Sequence, residues 1–374
     1  MQISGGIARE RDASLNQGRS VSSTPLGLDA RVSVSSDRPA LLGTPSLSLI
    51  VPTHNRRELL ARLLSGLERQ HTRGTRFEVV VAVDGSTDGT DEMLARLHTS
   101  YPLRVVSKAH GGAGAARNAA IAAATGDVLL FVDDDVLPQD GLLEGHLRVH
   151  SRDPLAAVAG RMAPPPDHAL PVWLAWEAAV IERHYSRIVA GLVAPSWREF
   201  WTSNASVRRE HALAVGGFDK GFKREEDVDF GYRLSTLGLR FYFLPDAVIH
   251  HIPDKTLEFW LHQLHERGHD QLLHRDVRVA SEFSFAEDWR GRHPLNRMLT
   301  RWCLGHTART RLVVGALKRA IASPRPGARR LQLLLCSALV NINYWSGVAE
   351  LIGGGDALWR HIEEPAVAVI ADRA

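Results

Sequence analysis

Asp127-Val-Leu-Leu-Phe-Val-Asp-Asp-Asp-Val136 is the stretch of this 374-residue chain that decides the fold. Its five apolar residues, Val128 to Val132, predict a strand that is buried on both faces. Asp133, Asp134 and Asp135 follow at the carboxyl end of that strand. Adjacent carboxylates repel each other, and no Lys or Arg stands near them in the sequence, so a divalent cation is the simplest compensation. The alternative is a solvated loop that happens to be acidic.

The spacing within the triplet predicts which carboxylates share a task. Successive side chains of an extended backbone point to opposite sides. We therefore expect Asp133 and Asp135 to face the cation together, and Asp134 to be the member least suited to hold it.

Composition limits the class of protein. The chain is 44% hydrophobic and 23% charged, which is typical of a soluble globular protein with one large domain or two smaller ones. Cys303 and Cys336 provide neither a disulfide framework nor a cysteine metal cluster, which predicts a cytoplasmic location. We find no signal-peptide pattern at the N-terminus and no apolar stretch of the ~20 residues that a spanning helix needs.

Positive charge is concentrated near the C-terminus. From Trp289 to Arg330 the chain has eleven Lys or Arg residues and no acidic residue, and apolar residues lie among them. Residues 289–345 therefore predict one of two arrangements. They form either a helix pair on the inner face of an anionic membrane or a helical subdomain with a solvated basic face. No recognised nucleic-acid-binding module is present, so we expect no nucleic acid partner.

Strands and helices alternate in the first half of the ordered region. The other predicted strands there are Leu47–Val51, Phe77–Val83 and Leu103–Ser107. Such alternation predicts an α/β fold with a doubly wound parallel sheet and right-handed crossovers. Ligands of these sheets bind at the carboxyl ends of the strands. Pro52-Thr53, Asp84-Gly85 and the aspartate triplet all follow strands, so we expect them at one edge of the sheet.

Three further stretches carry local predictions. Asn55 is expected to cap the helix after the first strand, with Glu58 as its capping-box partner. Gly111-Gly-Ala-Gly114 is either a phosphate-binding helix start or a flexible connection. His250-His251 follows a predicted strand and is either a metal ligand or structural.

A second acidic run, Glu225-Glu-Asp-Val-Asp229, lies at the start of another predicted helix. A helix dipole stabilises acidic residues at this position, so the run by itself predicts an acidic helix end.

Several motifs in order resemble family 2 glycosyltransferases with a GT-A fold. The resemblance covers about residues 46–255. The motifs are Val51-Pro-Thr-His-Asn55, Val83-Asp-Gly-Ser-Thr-Asp-Gly-Thr90, Gly114-Ala-Ala-Arg-Asn118, Phe131-Val-Asp-Asp-Asp135, Gly216-Gly-Phe-Asp219 and Glu226-Asp-Val-Asp-Phe230. This resemblance implies a Rossmann-like, doubly wound, mostly parallel sheet with helices on both faces, followed by a C-terminal helical extension.

The resemblance assigns the donor side of the site. It implies that Pro52 and Thr53 touch the base and ribose and that Asp84 reads the base edge. Many relatives carry two acids at that point, whereas here Val83 replaces the first. Further residues implied to border the nucleotide are Arg117, Asn118, Asp133 and Asp134. Asp133 and Asp135 match the Asp-x-Asp motif that holds Mg²⁺ or Mn²⁺ on the diphosphate, and His251, or its neighbour His250, matches a further metal contact.

The resemblance also implies the reaction. Asp227 matches the general base, with Glu226 as the fallback. The implied activity is inverting transfer of a sugar from a UDP, GDP or dTDP sugar to the hydroxyl of a glycan, lipid-linked or small-molecule acceptor. A nucleotidyltransferase and a non-catalytic binding protein are the alternatives. No Gln-x-x-Arg-Trp motif follows, so the chain does not resemble a processive synthase.

These observations divide the chain into three parts. We predict a flexible N-terminal tail at 1–44, a catalytic domain at 45–255 and a basic, mainly helical region at 256–374. The catalytic domain would have a nucleotide-binding half at 45–140 and an acceptor-binding half at 141–255.

Overall fold

A computed structural model describes most of the chain after residue 44. The described residues are 45–70, 76–167, 169–222, 224–252, 255–274, 285–322 and 328–363, with the backbone alone at 269–274. The predicted tail at 1–44 lies outside this part.

The described chain contains eight strands and thirteen α-helices. The strands are β1 (Leu47–Thr53), β2 (Phe77–Asp84), β3 (Leu103–Lys108), β4 (Val128–Val132), β5 (Val136–Pro138), β6 (Ala156–Ala163), β7 (Asn204–Arg208) and β8 (Arg240–His251). The helices are α1 (Arg57–Leu67), α2 (Thr90–Arg96), α3 (Ala113–Ala123), α4 (Leu142–His150), α5 (Val172–Val189), α6 (Arg209–Ala214), α7 (Glu226–Thr236), α8 (Leu257–His274), α9 (Phe285–Gly291), α10 (Pro294–Cys303), α11 (Thr307–Ala322), α12 (Arg329–Ile352) and α13 (Gly355–Glu363).

The strands form one sheet in the order β3-β2-β1-β4-β7-β6-β8-β5. The pairs β2–β3, β1–β2, β1–β4 and β6–β8 are parallel, and the other three pairs are antiparallel. The predicted mostly parallel α/β sheet is therefore confirmed. Strand β4, which carries the opening stretch, pairs with β1 on one side and β7 on the other, in the middle of the sheet.

Both faces of β4 are covered, as its unbroken apolar run predicts. Val128, Leu130 and Val132 pack in one core with the leucines of α1 and α4. Leu129 and Phe131 pack in a second core with the small side chains of α3 and the aromatic ones of α7. A strand between two helical layers needs apolar residues at every position, whereas a half-exposed strand needs them at alternate positions.

The predicted cap of α1 is wrong. Asn55 lies two residues before the helix in the left-handed region, with φ 52°, and its Oδ1 accepts a hydrogen bond from the Thr87 amide at 2.8 Å. The first-turn amide of Arg57 donates to Asp88 Oδ2 at 2.9 Å. The cap therefore comes from the loop after β2, and the two loops that edge the predicted pocket are tied together.

The C-terminal helices pack against the sheet domain through α8 and α12. One apolar cluster joins Trp260 and Leu264 of α8, Leu339 and Val340 of α12, and Leu174 of α5. The prediction of a mainly helical region is correct for its described residues. The boundary at residue 255 and the two halves of the catalytic domain remain predictions.

No helix within the described ranges combines the length and the apolar character needed to cross a membrane.

Gly268 marks a close approach of α8 to α12, because a Cβ at this position would collide with the Tyr344 carbonyl. Gly268→Ala should therefore lower the free energy of unfolding by about 2 kcal/mol through overpacking. Gly315→Ala in α11 is the matched control, since its Cβ would meet no atom within 4 Å. Relief of backbone entropy should stabilise this control by about 0.5–1 kcal/mol. Urea unfolding followed by tryptophan fluorescence measures both. A Gly268→Ala protein as stable as the control would contradict this packing.

Candidate active site

A cavity of about 660 Å³ opens at the carboxyl ends of β1, β2 and β4. Pro52 and Thr53, Asp84 and the aspartate triplet line it, as the sheet rule predicts. The start of α7 and the end of β8 border the same space. The structure thus brings both acidic runs of the sequence to one cavity.

Most of the predicted site residues line this cavity. They are Pro52, Thr53, Asp84, Arg117, Asp133, Asp134, Asp135, Glu226, Asp227 and His251.

Asn118 is the exception. Its Nδ2 donates to the Phe218 carbonyl at 2.8 Å and its Oδ1 accepts from the Phe218 amide at 2.7 Å. Its amide therefore braces the turn before α7 and does not border the cavity. His250 also does not line the cavity, and its ring nitrogens contact the Pro164 carbonyl and Gln139.

The triplet does not have the extended backbone on which its predicted alternation rests. Strand β4 ends at Val132, and Asp134 and Asp135 lie in a turn, so the rule for extended backbone does not apply. Asp134 and Asp135 share one partner, the Arg56 guanidinium, whose Nη1 lies 3.1 Å and 2.7 Å from their oxygens. The charge compensation assigned to a cation alone thus comes partly from an arginine near the end of β1.

Asp134 has the most enclosed carboxyl group of the triplet, with its residue 4% exposed. It accepts a hydrogen bond from Thr53 Oγ1 at 2.7 Å in addition to the contact with Arg56. Burial raises the pKa of Asp134 to about 6, although Arg56 and Thr53 oppose this shift. We infer that Asp134 fixes the end of β1 and is the least available of the three.

Arg117 connects the two acidic runs. Its Nη2 donates to Asp133 Oδ1 at 2.8 Å, and its Nη1 donates to Glu226 Oε1 at 2.7 Å. The residue is 5% exposed. Burial alone would lower its pKa, but the two carboxylates outweigh burial and raise it. A charged guanidinium therefore sits between the end of β4 and the start of α7.

Asp227 differs from its neighbour Glu226 in having no arginine in hydrogen-bond contact among the described contacts. Its Oδ1 accepts from the Val228 amide at 2.8 Å. Burial, then the charges of Glu226 and Glu225, raise the pKa of Asp227 to about 7 against the opposing effect of Arg117. Because Glu226 is held by Arg117, Asp227 is the carboxyl group of this run best suited to exchange a proton near neutral pH.

The structure adds Arg267 to the site, a residue that the sequence did not reveal. Glu225 has a left-handed backbone, with φ 58°, and its Oε1 accepts from Arg267 Nε at 2.7 Å. Arg267 lies on α8 and lines the cavity. No sequence motif surrounds Arg267, and this residue lies beyond the stretch of about residues 46–255 that resembles the family. The helical region therefore contributes a charged side chain to the site.

Asp84 organises the glycine-rich stretch. Its carboxylate accepts from the amides of Gly111 and Gly112 at 2.9 and 2.8 Å, and Lys108 Nζ lies 2.5 Å from Oδ1. Burial alone would raise its pKa, but Lys108 and the two amides lower it. The sequence predicts that Gly111–Gly114 is either a phosphate-binding helix start or a flexible connection. The structure contradicts a flexible connection, because the amides of Gly111 and Gly112 are hydrogen-bonded to Asp84. The predicted contact of Asp84 with a base edge remains a prediction.

The residues predicted to bind a metal suit a cation whose coordination shell is only partly filled by protein side chains. Within the described contacts, Asp135 Oδ1 is buried without a hydrogen-bond partner, and His251 Nε2 lies 3.5 Å from Oδ2. The Asp133 side chain is 31% exposed to the cavity. No group of three or more candidate ligands forms a closed site within the described ranges. This suits a Mg²⁺-like ion, which takes one or two carboxylates and fills its shell with phosphate oxygens and water.

One part of the cavity lining, which we call the apolar wall, consists of apolar and aromatic side chains. Leu174 and Ile181 of α5 line it together with Trp201. Trp201 packs with Tyr185, with ring centroids 6.0 Å apart, and Tyr185 stacks on Phe243. The aromatic residues between β6 and β7 therefore belong mainly to the core, and Trp201 also reaches the cavity.

Arg267→Ala should destabilise the protein by about 2 kcal/mol, because it leaves the buried Glu225 carboxylate without this guanidinium. The cost is below the roughly 3–5 kcal/mol of a fully buried pair, since the Arg267 side chain keeps 28% exposure. Lys318→Ala is the control on α11, because its partner Glu258 is 68% exposed and the pair should contribute under about 0.5 kcal/mol. Chemical denaturation compares the two. Equal losses of unfolding free energy in the two variants would show that the Glu225–Arg267 pair contributes no more to stability than an exposed ion pair.

Residues 48–215 match the family model described as glycosyl transferase family 2. An uncharacterised glycosyltransferase, YfnE of Bacillus subtilis, is 30% identical over 257 residues, which cover 54% of this chain and 64% of that protein. Validoxylamine A glucosyltransferase of Streptomyces hygroscopicus subsp. limoneus is 31% identical over 221 residues, covering 52% and 49%. The chain thus spans between about half and just under two thirds of the length of these relatives.

A solved structure supports the fold. The mannosyltransferase PcManGT of Pyrobaculum calidifontis superposes with a TM-score of 0.55 and 20% identity, covering 82% of this chain and 89% of that one. At this identity the likeness concerns the fold. The described chain thus has the GT-A fold of the glycosyltransferases, and its residues 48–215 match the model of glycosyl transferase family 2.

Proposed function

We propose that the protein is an inverting glycosyltransferase that moves a sugar from a nucleoside diphosphate sugar to an acceptor hydroxyl. The observation that carries the proposal is the pair of acidic sites in one cavity, Asp133–Asp135 and Asp227, with Arg117 between them. One site suits a cation and a diphosphate, and the other suits a proton. A transferase of this kind needs both tasks, and they cannot be done by one carboxylate.

The donor would lie along the ends of β1, β2 and β4. Pro52, Thr53 and Asp84 border the base and ribose in this proposal, and Asp133, Asp135 and His251 would hold Mg²⁺ or Mn²⁺. The cation would offset the negative charge that the leaving diphosphate gains. PcManGT was solved with GDP-mannose and Mn²⁺, which supports testing such ligands here. UDP, GDP and dTDP are all kept as carriers.

Asp227 would act as the general base. It would take the proton of the acceptor hydroxyl while that oxygen bonds to the anomeric carbon, and the bond from that carbon to the diphosphate oxygen would break on the opposite side. Glu226 is a poorer base because Arg117 holds its carboxylate. Arg117 would also keep Asp133 and α7 at a constant separation.

The acceptor would enter along the apolar wall. Leu174, Ile181 and Trp201 offer little hydrogen bonding, so they favour an acceptor that presents an apolar face beside its hydroxyl. Glycan, lipid-linked and small-molecule acceptors all meet this description. The predicted acceptor-binding half, 141–255, supplies these three residues.

The donor site is tested by thermal shift with UDP, GDP and dTDP, each with and without Mn²⁺. One nucleotide should raise the melting temperature in a Mn²⁺-dependent manner, because a ligand at 100 times its Kd adds about 2.7 kcal/mol of stability. Asp135→Ala should abolish the metal-dependent part, whereas Asp140→Ala, whose side chain is exposed, should retain it. If no nucleotide stabilises the protein with metal, the donor proposal fails.

The base is tested by transfer kinetics. Asp227→Asn should keep the nucleotide-induced thermal shift and lose transfer by about 10²–10⁴-fold, since it cannot accept the proton. Asp246→Asn, at an exposed position on β8, is the control and should transfer at the normal rate. In the wild-type protein, transfer should rise about tenfold per pH unit below pH 7 and level off above it, because the base must be ionised. Full activity of Asp227→Asn would refute the assignment, and an unchanged thermal shift without transfer by either protein would point to a binding protein.

A further inference from the structure

Helix α10 presents an apolar face to solvent. Leu295, Met298 and Trp302 are 63%, 66% and 53% exposed. Their spacing of three and four residues places them on one side of the helix. Thr300 and Cys303, which are fully buried, anchor the other side. An amphipathic helix normally turns its apolar stripe inward, so this outward stripe requires an explanation.

The beginning of α12 continues this face. Leu331 and Leu334 are 58% and 69% exposed and lie one turn apart. Asn296 Nδ2 donates to Ser337 Oγ at 2.9 Å and holds α10 against α12. Leu295 adjoins Asn296 in the chain, and Leu334 lies one turn before Ser337, so this hydrogen bond joins residues that stand next to both exposed rows. We call these five side chains, Leu295, Met298, Trp302, Leu331 and Leu334, the apolar stripe.

Arginines accompany the apolar stripe. The Arg309 guanidinium lies 4.6 Å from the centre of the Trp302 ring. Arg329 and Arg330 are exposed immediately before Leu331. From residue 289 to residue 330 there are eleven basic residues and no acidic one, whereas the rest of the chain has 34 basic and 42 acidic residues. The partner that fits this face is apolar at its centre and negative around it.

Charge argues against two other occupants. A second copy that used the same face would bring the same arginines together. The first 44 residues of this chain carry five arginines and four acidic residues, so their net charge is positive and does not complement this face. An anionic bilayer offers negative headgroups above an apolar interior, and each basic residue near such a surface adds to the attraction.

We propose that α10 and the beginning of α12 form a docking face for an anionic lipid surface. The apolar stripe lies below the headgroups, and Arg329, Arg330 and Arg309 contact the lipid phosphates. Both helices lie along the surface, as amphipathic helices do. This inference does not depend on the sugar-transfer activity.

The test is sedimentation of the full chain with vesicles of phosphatidylcholine alone or with about 30% phosphatidylglycerol. The wild-type protein should bind the mixed vesicles, and added salt should weaken this binding. Arg329→Gln and Arg330→Gln should each reduce partitioning by about fivefold, the equivalent of about 1 kcal/mol per charge. Met298→Ser combined with Trp302→Ser should reduce it by at least about tenfold.

The control removes exposed apolar side chains elsewhere. Leu213 and Leu237 are 47% and 43% exposed on or next to α6 and α7, and their replacement by Ser should leave binding unchanged. Thermal unfolding verifies that every variant is folded, and light scattering records its mass. Failure of the wild-type protein to bind the mixed vesicles would overturn the proposal. An equal loss of vesicle binding in the Leu213 and Leu237 control would also overturn it. So would a variant of the apolar stripe that binds vesicles normally and differs from the wild-type protein only in having lost a dimer.

Discussion

The arrangement of the site depends on one buried guanidinium. Arg117 donates to Asp133 at the end of β4 and to Glu226 at the start of α7, which lie far apart in the sequence. The guanidinium carbon of Arg117 also lies 5.6 Å from the ring centroid of Phe218, a residue of the turn that leads to α7. Removing a buried charge from such a network leaves both carboxylates unpaired, which costs several kcal/mol. Arg117 thereby joins the two acidic sites, and in the proposed mechanism this leaves Asp227 as the carboxyl group that takes the proton.

The fold and the acidic residues of the site could be predicted because their signals are local. The apolar run of Val128–Val132 predicts a strand covered on both faces, and the rule for parallel sheets places the triplet beside Thr53 and Asp84. Apart from Arg117, which lies in a family motif, the arginines that pair with the acidic residues of the site could not be predicted in this way. Arg56 and Arg267 reach the cavity from other elements, and sequence spacing does not encode such contacts.

The errors have the same origin. Asn55 satisfies the local rule for a helix cap, yet its side chain bonds to the loop after β2, whose Asp88 supplies the cap. Asn118 lies in a family motif, but its side-chain amide is hydrogen-bonded to the backbone of Phe218. In each case a contact between distant segments overrides a pattern within one segment. Helix α12 shows this on a larger scale, since it packs on Gly268 near the cavity and begins at the apolar stripe.

In the proposed mechanism, the carboxylate of Asp227 faces the acceptor while the diphosphate leaves from the opposite side. The most direct test is the configuration of the new glycosidic bond, read by NMR from the product of an α-linked nucleoside diphosphate sugar. A β-linked product is predicted, because one displacement at the anomeric carbon inverts it. An α-linked product would contradict the account, because attack from the side opposite the leaving diphosphate cannot retain the configuration.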